Sequence, residues 1–291
     1  MLTMRPTPWR SRVAALRRGV GVALLVAGWL AAPRYAVAAP ACYTVAVVPQ
    51  FAPAQIYARW RPLLDALQRR TGLCLKLLAY ASIPQFERAF TAGVPDFAYL
   101  NPYHVVMAHD SRGYLPLVRD ARRLAGILVV RADGPIHDPH QLDGRTVAFP
   151  APNAFGASLY MRALLQRQGV HITADYVGSH DNVYRAVARG DVAAGGGVAA
   201  TLARQPAGLR TLLRVIYTTP RTAPHALAAA PRVAPAVRLK LRDALLALAA
   251  NATDVALLAG VQMPHPVVAD YARDYAPLRQ LRLDAFVVRP R

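Results

Sequence analysis

Strand-like and helix-like segments alternate along most of the chain, and this alternation constrains the fold more than any other feature. Residues 43–48 form a short apolar run typical of a strand, and 56–70 then carries apolar residues at helical spacing before Gly72. The strand-like runs at 97–100 and 146–149 are likewise followed by helical segments. This order predicts an α/β fold with mainly parallel sheets covered by helices on both faces.

The length of 291 residues suits two domains. A Pro- and His-containing loop after residue 131 separates two series of alternating elements. We therefore expect two lobes with a ligand cleft between them.

The amino-terminal segment has the pattern of an export signal. Five arginines precede an apolar stretch at 19–32, and no acidic residue occurs before Asp65. Ala36-Val37-Ala38 matches the small-x-small pattern of a signal peptidase site, so 1–38 is predicted to be a signal peptide cleaved after Ala38, with the mature protein in the periplasm. The stretch is shorter than the ~20 apolar residues of a membrane span, although an uncleaved anchor is the alternative.

The net charge of +19 invites a nucleic-acid interpretation. Without the six arginines of residues 1–38 the charge falls to +13. The remaining basic residues are spread singly and in pairs, with Lys76 and Lys240 as the only lysines. We therefore expect no nucleic-acid partner.

The two cysteines stand at the starts of two strand-like runs. Cys42 precedes 43–48 and Cys74 opens 74–78, with a predicted helix between them. If these strands are parallel neighbours, both cysteines lie at the same sheet edge, and an exported protein would form a Cys42–Cys74 disulfide. Two free thiols are the alternative.

Polar and aromatic residues cluster at four predicted strand-to-helix junctions. In α/β sheets ligands bind at the carboxyl ends of strands, where free N–H groups at helix starts favour an anion. Each junction alone fits ordinary capping, but four together indicate a cleft for a small anion. The junction residues are Ser82; Tyr99, Asn101, Tyr103 and His104; Asn153; and Ser179 and His180.

Enzyme motifs are missing from the sequence. It contains no HExxH, GxSxG, P-loop or GxGxxG pattern, and Gly195-Gly196-Gly197 lacks both a following lysine and the dinucleotide spacing. No cofactor, metal site or catalytic residue is predicted. Hydrolysis in the cleft stays a remote alternative.

Several motifs, in order, resemble a known family. They are Trp60-x-Pro62-Leu63-Leu64, then 96–102 (DFAYLNP), Gly178-Ser179-His180-Asp181 and the 218–225 segment. The sequence resembles the phosphate/phosphite/phosphonate-binding proteins of bacterial ABC importers. The resemblance implies a type II periplasmic binding-protein fold in which two lobes close over a small oxyanion. Because 218–225 falls where the family returns from its second lobe, residues 39–130 and 217–291 are expected to form one discontinuous lobe and 131–216 the second.

The resemblance also implies partners and ligand residues. A monomer would deliver its ligand to an inner-membrane ABC permease; the alternative is a sensing subunit that feeds a histidine kinase. His180 matches the family's histidine, and Tyr99 matches an aromatic position, with Tyr103 nearby. The family's Ser-Thr-Ser cradle falls on 153–155, which brings Asn153 and Phe155 into the expected ligand set without hydroxyl groups. An acidic position of the family falls on or beside His225, and the loss of an acid with the gain of a histidine favours an anion that lacks an amine. Arg221 is a further candidate for the pocket.

Overall fold

The structure of the protein, a computed structural model, describes residues 42–288. The predicted signal peptide and its cleavage after Ala38 lie outside these residues. The described strands form a six-stranded and a five-stranded sheet, here called the first and second sheet. Helices accompany both, so the predicted α/β class is confirmed.

The first sheet is mixed. Strand β1 pairs in parallel with β2 and β3, whereas β10 runs antiparallel to β3 and β4, and β11 runs antiparallel to β4. Across the sheet the strands are β11 (Pro266–Val268), β4 (Leu115–Asp120), β10 (Ala226–Ala229), β3 (Phe97–Leu100), β1 (Tyr43–Val47) and β2 (Leu75–Ala79).

The second sheet is also mixed. Strand β6 is parallel to β7 and β8, while β5 is antiparallel to β8 and β9. Across the sheet the strands are β7 (Thr173–Tyr176), β6 (Thr146–Phe149), β8 (Ala194–Val198), β5 (Gly126–Arg131) and β9 (Leu213–Thr218). Both sheets are less parallel than predicted, because strands that follow a crossing between sheets return in the opposite direction.

The chain passes from the first sheet to the second at 121–125 and returns at 219–225. These two crossing segments pair with each other, because Leu124 and Thr222 exchange backbone N–H to C=O bonds of 2.9 Å in both directions. Strand β5 belongs to the second sheet, so the sheets change before residue 126 rather than at the expected lobe boundary of 130/131. The division into two lobes itself stays a prediction.

Local sequence explains where the helices begin and end. Ser82, Asn101 and Ser179 each accept a backbone N–H bond as N-caps, and Gly72 ends the first helix in the left-handed region with φ 67°. The helices are Pro53–Thr71, Ile83–Thr91, Pro102–Arg112, Tyr160–Arg167, His180–Arg189, Ala199–Ala203, Ala207–Arg210, Pro235–Leu248 and Ala252–Gly260. Single π turns at Phe155–Leu159 and Tyr271–Tyr275 and 3₁₀ turns at Pro139–Leu142, Ala276–Leu281 and Leu283–Phe286 complete the set.

Within residues 42–288, no single helix is long and apolar enough to cross a bilayer. One strongly bent helix pair, Pro235–Leu248 with Thr253–Gly260, meets the length and composition criteria.

The glycine run in β8 serves packing. A Cβ on Gly196 would lie 1.9 Å from the Ala157 carbonyl oxygen, and one on Gly197 would lie 2.2 Å from the Tyr184 hydroxyl. Glycine is therefore needed because neighbouring segments approach the strand closely. Close packing thus accounts for the three glycines, and no phosphate-binding role is assigned to them.

The predicted Cys42–Cys74 disulfide is present, with the two Cα atoms 4.5 Å apart. Strands β1 and β2 are parallel neighbours with Tyr43 in register with Leu75, and the Tyr43 N–H donates to the Cys74 carbonyl at 2.8 Å. Both cysteines thus lie at one sheet edge, as their positions before the two strands predict.

Candidate functional site

A small chamber lies where segments attached to both sheets meet. Residues at or beside all four predicted junctions line it: Ile83, Asn101, the 154–157 segment and His180. The return crossing adds His225. The structure thus brings residues at or beside these four junctions together around one cavity.

His180 is the first residue of its helix and is buried in the chamber wall. Its Nδ1 lies 3.3 Å from the Thr201 hydroxyl, which also donates to the Val198 carbonyl at 2.9 Å. Tyr184 completes this group, with its hydroxyl 2.7 Å from that of Thr201. Because Thr201 gives its single proton to Val198, Nδ1 carries the imidazole proton and donates to Thr201. Nε2 is then an acceptor, which can bind a protonated oxygen of a ligand.

Burial lowers the pKa of His180 to about 4, and the nearby Asp181 carboxylate opposes that shift. Burial also lowers the pKa of His225 to about 3, with further lowering from His104 and His180. Both imidazoles are therefore neutral near pH 7, and each has one N–H donor and one acceptor nitrogen.

No Asp, Glu, Lys or Arg is among the chamber-lining residues in the described part of the chain. Favourable potential for an anion comes instead from helix starts. The helices that begin at Ile83, Pro102 and His180 and the turn that begins at Phe155 all start at the chamber wall. Their first N–H groups and dipoles favour negative charge at this place.

The chamber has a volume of about 20 Å³, which is room for little more than one water molecule. His225 lines the chamber and also a wider outer cleft of about 380 Å³. Tyr99, Asp120 and Arg123 border that outer cleft. His225 therefore lies between the small chamber and the wider outer cleft.

Asn153, expected to contact ligand, is occupied elsewhere. Its Nδ2 donates to the Val288 carbonyl at 2.7 Å, and its Oδ1 accepts from the Val288 N–H at 3.0 Å. Its own carbonyl accepts from Asn101 Nδ2 at 3.1 Å. The side chain at the family's cradle position thus holds the carboxyl-terminal segment, while the neighbouring Ala154 and Phe155 line the chamber.

Tyr103, also expected at the ligand cleft, lines a different cavity of about 820 Å³ and bonds Asp284 through its hydroxyl at 2.5 Å. Successive helical residues point in directions about 100° apart, so Asn101 and Tyr103 face different sides of the helix start. The neighbouring His104 is buried, with Nε2 2.9 Å from Glu87 Oε1.

Ser82 and Ser179 act as N-caps and accept from the backbone N–H groups of Gln85 and Asn182 at 3.4 and 3.2 Å. Their hydroxyls thus help to fix the adjacent helix starts, while Ile83 and His180 line the chamber. Arg221 is exposed, and its carbonyl accepts from Arg123 at 3.2 Å.

Sequence reasoning missed Gln50 and Thr201. Gln50 lines the chamber and follows β1, so it satisfies the same strand-end rule that selected the other junctions. Thr201 lies 21 residues from His180 in sequence, and no local pattern links the two.

Two sheets joined by two crossings, with a site where helix starts meet, make this the fold of a type II periplasmic binding protein. Two solved phosphonate-binding proteins share it. PhnD1 from Prochlorococcus marinus, in complex with methylphosphonate, superposes with a TM-score of 0.78 at 15% identity, covering 86% of this chain and 100% of that one. A binding component of a phosphonate ABC transporter from Pseudomonas aeruginosa gives 0.75 at 18% identity, covering 86% and 90%.

The periplasmic VFT2 domain of BvgS from Bordetella pertussis is a more distant neighbour, with a TM-score of 0.51 at 24% identity and coverage of 76% and 92%. No curated protein matches the sequence.

Residues 45–275 match the family described as "ABC transporter, phosphonate, periplasmic substrate-binding protein". The chain belongs to this family of periplasmic substrate-binding proteins.

Proposed function

We propose that this protein captures a small oxyanion in the chamber between its sheets and delivers it to an ABC permease in the inner membrane. The convergence of His180, His225 and four helical starts on one buried space carries the proposal. Backbone N–H groups and dipoles at the helix starts can stabilise an anion. No charged side chain of the chamber wall has to be desolvated when the anion binds.

Binding would proceed by closure of two lobes. The chamber has room for little more than one water molecule, so a tetrahedral oxyanion requires the walls to separate before it can bind. The paired crossing segments around Leu124 and Thr222 supply the natural hinge, because they are the two places where the chain passes between the sheets. We assign no catalytic step to the site.

The ligand would be a phosphonate, phosphite, phosphate or similar oxyanion without an amine. Ala154 and Phe155 give the chamber wall an apolar surface where the resemblance implies hydroxyl groups. A ligand amine would need a carboxylate, and none lines the chamber in residues 42–288. These two features favour a compact anion with an apolar substituent or none.

A thermal-shift screen of the mature protein tests the proposal. The panel contains phosphate, phosphite, methylphosphonate, 2-aminoethylphosphonate, arsenite and methanesulfonate. A bound ligand raises Tm as its concentration exceeds Kd. Stabilisation by methylphosphonate or phosphite, with little from the aminated compound, is expected; no stabilisation by any member would overturn the proposal.

The two candidate partners are separated by a second assay. Ligand-loaded protein should stimulate ATP hydrolysis by the cognate permease in proteoliposomes if the protein serves import. Stimulation of autophosphorylation of a histidine kinase, with the permease unaffected, would instead assign the sensing role.

A further inference from the structure

Two arginines from different sides of the protein reach the same aromatic ring. The guanidinium carbon of Arg59, on the helix Pro53–Thr71 beside the first sheet, lies 4.0 Å from the centroid of Phe51. The guanidinium carbon of Arg204, which follows the helix Ala199–Ala203 after β8, lies 5.7 Å from the same centroid. Two positive charges are thus brought together around Phe51.

Neither charge is matched by an acid. No salt bridge within residues 42–288 involves Arg59 or Arg204. Arg204 donates one bond, to the Ala259 carbonyl at 3.1 Å. Burial lowers the pKa of Arg204, and the charge of Arg59 lowers it further.

Arg59 also has an unsatisfied donor. Its Nη1 is buried and has no hydrogen-bond partner in the described part of the chain. A buried cationic donor without a partner is costly, so such a group normally meets an anion or an ordered water. The Asp120 carboxylate borders the outer cleft but already accepts from Arg122 and from the His265 N–H.

A cavity of about 10 Å³ lies beside Arg59, which is room for about one water-sized atom. Gln50 and Gln262 border it and approach each other to 3.4 Å between Oε1 and Nε2. Trp60 and Tyr99 provide apolar walls. The cavity is therefore small and is bordered by the positive guanidinium of Arg59 and by the side-chain amides of Gln50 and Gln262.

We propose that this cavity is a second anion site, which holds one small inorganic anion of halide size against Arg59, with Arg204 as the second positive charge. Because the two arginines come from elements of different sheets, the anion would relieve their repulsion and stabilise the observed arrangement of the two sheets. The site adjoins the chamber of His180, with Gln50 bordering both, and His180 itself does not line it. The proposal does not depend on the identity of the transported ligand.

Bromide gives the direct test. Crystals of the mature protein soaked in bromide should show an anomalous peak beside Arg59 Nη1. A water molecule alone at this place, in crystals that show bromide elsewhere, would overturn the proposal.

Chloride dependence gives the solution test. At constant ionic strength, exchange of gluconate for chloride should raise Tm of the wild type in proportion to the logarithm of chloride concentration. Arg59→Gln should lose this dependence whatever its own starting Tm, while Arg69→Gln, which removes an exposed charge from the same helix, should keep it. Equal dependence in Arg59→Gln and wild type would contradict the assignment. His180→Ala should retain the effect, which separates this site from the ligand chamber.

Discussion

The ring of His225 stacks on the ring of Tyr99, with centroids 5.5 Å apart and an angle of 24° between the planes. Tyr99 in turn contacts Trp60 at 4.9 Å. His225 lines the chamber, whereas Tyr99 lies behind it and borders the outer cleft. We infer that Tyr99, expected as a ligand contact, acts by positioning His225.

Substitution of Tyr99 tests this positioning role. Tyr99→Phe keeps the ring that stacks on His225, so ligand affinity should stay close to that of wild type. Tyr99→Ala leaves a cavity in a buried site and should lower the free energy of unfolding by about 3–5 kcal/mol. Urea unfolding and calorimetric titration measure the two effects. A large loss of affinity in Tyr99→Phe would show that the hydroxyl itself binds the ligand.

His180 should carry much of the anion binding. A hydrogen bond to a charged group contributes about 1.5–3 kcal/mol, so His180→Ala should weaken the best ligand of the screen by roughly 10- to 100-fold. His171→Ala is the matched control, because its side chain is 77% exposed on the surface. Unchanged affinity in His180→Ala, measured by titration calorimetry, would remove His180 from the site.

Acid should destabilise the protein partly through His180. Its pKa is about 4 in the folded protein and has an ordinary value of 6.5, so the unfolded state binds more protons between these values. Stability is therefore unaffected above about pH 6.5 and falls as the pH drops towards 4, by on the order of 3 kcal/mol from this group.

The pH slope of stability isolates this effect. Urea unfolding between these pH values should show a shallower slope for His180→Gln than for wild type, and an unaltered slope for His171→Gln. If His180→Gln and wild type have parallel profiles, the imidazole of His180 is not held in its neutral form by burial.

The Cys42–Cys74 disulfide should contribute about 3–4 kcal/mol to stability, because it closes a loop with a sequence separation of 32 residues in the unfolded chain. The double variant Cys42→Ser/Cys74→Ser should show that loss in urea unfolding. Reductant should produce a similar loss in wild type and leave the double variant unchanged. Equal stability of the oxidised and reduced wild type would contradict this role.

The helix starts around the chamber could be predicted from local sequence. Ser82, Asn101 and Ser179 cap helices as their residue types predict, because a cap bonds N–H groups only two or three residues ahead. Strand-end rules then placed those helix starts at one edge of the sheets. The same rule, applied to the end of β1, would have added Gln50.

Other outcomes depended on residues far apart in the chain. Asn153 is held by Val288, 135 residues away, and Tyr103 by Asp284, 181 residues away. Strand β5 joins the second sheet through pairing with β8 and β9, which moves the change of sheet ahead of the expected boundary.

The sequence by itself determined the alternating elements, the helix caps, the disulfide position and the family, because each depends on neighbouring residues or on motifs in a fixed order. Only the tertiary structure decided which side chains at the junctions line the chamber and which are used for support. The physical reason is that a buried polar group bonds to whichever partner the fold brings within reach. For Asn153 that partner is a distant backbone, and for Nη1 of Arg59 no hydrogen-bond partner is present among residues 42–288.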